Sequence, residues 1–149
     1  MKFKQLVMCI SILSSGHAWA NVTEYCPNPS DIKEEAPGVY IASIVSGDGE
    51  WYGVSQKGRG PVGEFDVAVF KSHTDVEGST VIGEILRCGY LLQKGDAVDM
   101  RFQGKEKEKE TLVSIDIKDP WTQWYSQYYC ESKEPRACKF NELIRPAKR

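Results

Sequence analysis

The sequence predicts a mainly β protein, a single antiparallel β-sandwich or partly open barrel of about 7–8 strands stapled by two disulfides. Three observations carry this prediction. Short apolar segments with strand-like alternation recur between turn-rich stretches, no segment has the pattern of a long helix, and four cysteines remain once the N-terminal leader is set aside.

The leader is MKFKQLVMCISILSSGHAWA. Lys2 and Lys4 form a positive n-region, residues 6–13 an apolar run too short to cross a bilayer, and Ala18-Trp19-Ala20 a small-residue cleavage site. We expect a Sec-type signal peptide over 1–20, cut between Ala20 and Asn21, and a single β domain over 21–149 that is periplasmic or secreted. Cys9 leaves with the leader and does not lie at the cut, so no lipid anchor is expected. Without Lys2 and Lys4, 17 basic residues face 21 acidic ones, a net charge of −4. That balance points away from nucleic acid and anionic membranes, and no later run is long enough for a membrane span.

An even number of cysteines in an exported chain implies disulfides. The polar, proline-containing ESKEPRA between Cys130 and Cys138 favours pairing those two, which leaves Cys26 for Cys88. On a chain-entropy basis the long loop contributes about 4 kcal/mol and the short one about 2–3 kcal/mol. None of the cysteines is spaced as in structural zinc sites, so no metal is expected, nor is any cofactor motif present.

Along the chain, NPSDIKEEAPG (28–38) mixes turn formers and charges and reads as a lead-in loop or short helical turn. GVYIASIV (38–45) and EWYGVS (50–55) flank the turn SGDG and form a hairpin signal. The Gly-rich QKGRGPVG (56–63) reads as a connector, because it matches no phosphate-binding fingerprint. In EFDVAVF (64–70), Phe65, Val67 and Val69 alternate with Asp66 and Ala68. TVIGEILRCGYLL (80–92) is one long strand bent at Gly83 and Gly89, with Ile82, Leu86, Cys88, Tyr90 and Leu92 on one face. AVDMRF (97–102) and TLVSIDI (111–117) form the clearest hairpin signal, with QGKEKEKE as its solvated tip.

The stretch PWTQWYSQYYC (120–130) supports two periods. Helical spacing puts Trp121, Trp124, Tyr125 and Tyr128 on one face, whereas strand spacing puts Trp124, Tyr128 and Cys130 on one face and Tyr125 and Tyr129 on the other. Its aromatic and threonine content favours the strand. On that reading Trp124 and Tyr128 are core, and Trp121, Tyr125 and Tyr129 join Trp51 and Tyr52 as ligand-contact candidates.

The segments YCPNPSDI (25–32), GVY (38–40), GEWYGV (49–54), ILRCGY (85–90), VDMRF (98–102) and the closing YYC followed by CKF together resemble a family of small exported bacterial proteins catalogued only as a domain of unknown function. The resemblance spans residues 25–140. It implies a signal peptide, one compact domain and a periplasmic or secreted location, and it brings no catalytic residues.

Chemistry is sparse. His73, in the polar loop KSHTD, is the one histidine after the leader, so a nucleophile with a histidine base would depend on it. Asp48, Glu50, Asp66, Asp99 and Asp116 supply carboxylates, and an acid pair of a small envelope hydrolase is the alternative function. The leading expectation is a binding domain for an unknown protein, peptide or envelope glycan partner, inhibitors of secreted enzymes included, and leans away from an enzyme.

Overall fold

The computed structural model describes residues 20–45, 49–104 and 111–144. The expected signal peptide therefore lies outside the described residues, apart from Ala20, as do Asp48 and the KEKEKE part of the charged tip.

Eleven strands form one curled antiparallel sheet, a half-barrel. In chain order they are β1 (Ala20–Tyr25), β2 (Lys33–Ala36), β3 (Val39–Ser43), β4 (Glu50–Val54), β5 (Val62–Ser72), β6 (Thr80–Leu92), β7 (Ala97–Gln103), β8 (Val113–Asp116), β9 (Trp121–Trp124), β10 (Gln127–Cys130) and β11 (Lys139–Ile144). Short 3₁₀ turns occupy Pro29–Asp31 and Pro135–Ala137. Three strands were not expected. β1 begins at Ala20, the last residue of the expected signal peptide, β11 closes the described chain, and β2 is an exposed KEEA edge whose charges hide the strand signal while guarding the edge against further pairing.

β6 organises the sheet. One edge pairs with β5, which passes the sheet on to β10 and β9. The other edge carries two strands in line: Cys88–Leu91 pair with β7, and Thr80–Gly83 pair with β8. From β7 the sheet continues through β4, β3 and β2, and from β8 through β11 and β1. The expected hairpin of 97–102 with 111–117 is therefore corrected. Both segments alternate as expected, with Val98, Met100, Val113 and Ile115 buried, but each pairs with β6 and not with the other. Alternation fixes which face of a strand is buried and says nothing of its neighbour, and a strand of thirteen residues is long enough to seat two partners end to end.

Bulges explain two further corrections. Between Val69 and Phe70 the β5–β6 register slips, since Val69 opposes Arg87 and Phe70 opposes Ile85, leaving Leu86 as the extra residue. The phase of β6 flips there: Val81 and Ile85 are in the core before the bulge and Cys88, Tyr90 and Leu92 after it, while Ile82 and Leu86 are only half-buried. A second slip between Phe65 and Val67 puts Ala68 and Phe70 into the main core, on the face where Phe65 packs edge-on against Tyr90, 5.3 Å between ring centroids. Glycine is required at position 83, because a Cβ there would lie 1.9 Å from the Lys71 carbonyl oxygen.

The concave face holds the core, including Trp51, Tyr40, Tyr90, Phe70, Tyr128, Met100 and Phe140. Cys26–Cys88 and Cys130–Cys138 are both disulfides, as expected. The first ties the chain after β1 to the middle of β6, and Tyr90 reinforces this join by donating its phenol to the Pro27 carbonyl at 2.5 Å. Burial, with the Asp31 carboxylate second, pushes the Tyr90 pKa far up, so its phenol stays neutral.

Candidate functional site

The aromatic stretch at 120–130 is a tight hairpin. β9 and β10 pair from Cys130 opposite Trp121 to Gln127 opposite Trp124, so Tyr125 and Ser126 alone make the turn. Residues directly opposite share a face. Trp121 and Cys130 point into the core, while the pairs Thr122 with Tyr129 and Trp124 with Gln127 point outward. β10 is stitched to β5 on its other side, and β9 forms the sheet edge.

The structure thus reverses two tryptophans. Trp121, expected as a contact residue, is 6% exposed; its ring packs edge-on against Phe70 at 6.3 Å and its indole Nε1 donates to the Lys139 carbonyl at 3.0 Å. Trp124, expected in the core, is 66% exposed. The two-residue turn is the reason. A single strand through 120–130 would alternate without interruption, whereas a chain reversal at Tyr125–Ser126 pairs Trp124 with Gln127 and carries both outward. Tyr128 is buried, as expected, 5.9 Å from Phe70.

Tyr125 is 84% exposed and has φ of +56°. Two-residue hairpins prefer glycine or asparagine where φ is positive, because a Cβ is strained there. An aromatic side chain at this position costs the fold about 1 kcal/mol or more and returns no core packing. Its ring meets Trp124 edge-on, 5.6 Å between centroids at 77°, and its carbonyl accepts from Gln123 Nε2 at 3.1 Å. Beside them, Pro120, Thr122, Trp124, Tyr129, Glu131 and Ser132 line an open cleft of about 600 Å³. Tyr129 is half-buried in its wall, its hydroxyl donating to Gln127 Oε1 at 2.6 Å. Three aromatic side chains, neutral hydrogen-bonding groups and one carboxylate therefore share a continuous outward surface.

The remaining candidates lie elsewhere. Trp51 is buried between Phe102 and Phe140, at 5.2 and 6.0 Å, so its ring faces the core. Its neighbour Tyr52 is half-buried on the opposite face of β4, which β5, β6 and β7 separate from β10 along the sheet. Only Tyr125 and Tyr129, of the five contact candidates, belong to the hairpin surface; Trp124 is its third ring.

Carboxylates gather in a second cleft lined by Glu24, Asp31, Glu34, Glu35 and Glu50, with Lys33 and Arg136 among them. Glu24 is fully buried, and its Oε2 accepts the Val45 N–H at 2.9 Å. Sequence reasoning missed this residue, since one acid in the strand ANVTEY carries no sign of burial. Asp66, Asp99 and Asp116 stand on β5, β7 and β8; Asp99 pairs with Arg87 at 3.1 Å and Asp116 accepts from Thr80 at 3.4 Å. His73 lies 3.7 Å from Glu84. Among the described residues no group of histidine, cysteine and acidic side chains is arranged to hold a metal ion, and no helix is long and apolar enough to cross a membrane.

Comparison with curated proteins and with solved structures gives no match. Residues 21–141 match the family model described as protein of unknown function (DUF3757), which spans the chain from β1 into β11 and takes in both disulfides and the aromatic hairpin. The chain belongs to that family.

Proposed function

We propose that the protein is an exported binding module that engages a protein partner through the outward face of the β9–β10 hairpin. Tyr125 carries the reading: an aromatic side chain, largely exposed, at a positive-φ turn position where glycine is favoured. Strain kept at an exposed site without return in packing is accounted for when the side chain has a contact to make. Trp124 and Tyr129 beside it add large, stiff, amphipathic rings, the residue types that dominate protein–protein binding energy. Export rests on the leader sequence and on two disulfides, which persist in oxidising compartments. Cleavage after Ala20 leaves Asn21–Tyr25 free to pair with β11.

The test is capture of partners from envelope and culture-fluid extracts by the protein spanning 21–149, repeated with the double variant Trp124→Ala, Tyr129→Ala. A protein retained by the parent and lost by the variant supports the proposal. Equal retention by a folded double variant, or capture of glycan alone, defeats it.

A further inference from the structure

The segment that follows the hairpin is a covalently closed loop, Cys130-Glu-Ser-Lys-Glu-Pro-Arg-Ala-Cys138. Its two cationic side chains are placed very differently. Arg136 lies over the Tyr25 ring, 4.4 Å from the centroid, and donates to the Tyr25 hydroxyl, so it is held against the body. Lys133 is exposed at the bend of the loop and makes no ion pair among the described residues.

The peptide bond after Lys133 is held from both sides. The Glu134 N–H donates to Ser132 Oγ at 3.1 Å, and the Glu134 carbonyl accepts the Ala137 N–H at 3.0 Å. Pro135 is buried and anchors the 3₁₀ turn, whose Pro135 carbonyl accepts the Cys138 N–H at 3.1 Å. The disulfide then joins the two ends of the loop to each other. Glu131 and Ser132 also form part of the aromatic cleft, so this loop and the hairpin make one surface.

We propose that this loop is the inhibitory element of a serine-protease inhibitor, with Lys133 entering the specificity pocket of a protease whose pocket floor bears a carboxylate. The proposal rests on the hairpin being the contact face, and it names the partner. A free ammonium on a pre-ordered loop meets a buried carboxylate with little ordering cost, and lysine is the residue such a pocket selects.

The chemistry explains inhibition in place of digestion. The protease serine oxygen bonds to the Lys133 carbonyl carbon, its proton passing to the protease histidine. The Lys133–Glu134 C–N bond then breaks, and the histidine returns that proton to the Glu134 nitrogen. In an ordinary substrate the new amine diffuses away and water replaces it. Here the disulfide and the turn at Pro135–Ala137 keep the amine beside the acyl carbon, so it attacks again, its proton passing through the histidine to the serine oxygen as the acyl–oxygen bond breaks, and the peptide bond re-forms.

The oxidised protein spanning 21–149 is titrated into trypsin, with hydrolysis of a small chromogenic lysine ester as the readout. Stoichiometric, reversible inhibition is expected, weakened about 100-fold or more by Lys133→Ala, a change at an exposed side chain that leaves the fold intact. The variant Lys133→Phe is expected to move inhibition from trypsin to chymotrypsin. Absence of inhibition, unaltered inhibition by Lys133→Ala, or rapid turnover at the Lys133–Glu134 bond each overturns the proposal. In those cases the hairpin reading still stands if the Trp124→Ala, Tyr129→Ala variant loses a captured protein that Lys133→Ala retains.

Discussion

Truncation of Trp121 and of Trp124, three residues apart in one strand, should have very different consequences. Trp121→Ala removes an almost fully buried indole from its place against Phe70 and leaves the Lys139 carbonyl without its donor. Burial of a large aromatic is worth about 3–5 kcal/mol on truncation, and the orphaned carbonyl adds about 1 kcal/mol. Taking about 4 kcal/mol and a urea m-value of about 2 kcal/mol per molar for a domain of this size, the midpoint should fall by about 2 M. Trp124→Ala removes a ring that is two-thirds exposed and meets Tyr125 edge-on at the surface, so its midpoint should stay within about 0.25 M of the parent. Urea unfolding followed by far-ultraviolet circular dichroism at constant pH, with both disulfides oxidised, gives the two numbers. Equal losses for the two variants, or a larger loss for Trp124→Ala, would refute the assignment of faces and with it the contact surface.

Raised pH should destabilise the fold through Tyr90. Its burial keeps the phenol neutral in the native state while the unfolded chain ionises near pH 10, so its contribution is fully present below that pH. Above it, stability should decline by about 1.4 kcal/mol per pH unit, and urea midpoints flat from pH 8 to 11.5 would contradict this. Replacing Cys26 and Cys88 by serine should cost about 4 kcal/mol and replacing Cys130 and Cys138 about 3 kcal/mol, because the first closes a much longer loop; thermal melting of the two double variants checks the order. Tyr125→Gly should raise stability by about 0.5–1 kcal/mol by relieving the positive φ, yet weaken partner capture; a melting temperature below the parent's would show that the tyrosine is not strained.

Much of the fold was legible in the sequence because each cue was local. Val98 and Met100 in β7, and Val113 and Ile115 in β8, alternate without interruption, and the face of each strand was read from that pattern. The partners of those strands were not legible, since pairing with β6 depends on where a thirteen-residue strand lies in space. Bulges defeated the reading of β5 and β6 for a related reason: one extra residue at Leu86 puts Ile82 out of phase with Cys88, Tyr90 and Leu92, and nothing in GEILRCG marks it. The two disulfides were legible from spacing and compartment together.

The contact surface was half legible. Aromatic density singled out 120–130, but the turn inside it is Tyr-Ser, which carries none of the usual hairpin residues, so the reversal of Trp121 and Trp124 stayed hidden. Lys133 drew no notice because a lysine between two cysteines reads as ordinary solvated turn. Its distinction from Arg136 comes only from the stacking of Arg136 on Tyr25, residues 111 positions apart.

The most direct measurement of the central claim is amide hydrogen exchange of the protein spanning 21–149, alone and saturated with a captured protein partner. The account predicts slowed exchange across 121–134, from the β9–β10 hairpin into the Lys133 loop, with the β2–β4 end of the sheet unchanged. Protection confined to β2–β4 and the acidic cleft of Glu24 and Glu50, with 121–134 unaltered, would contradict it.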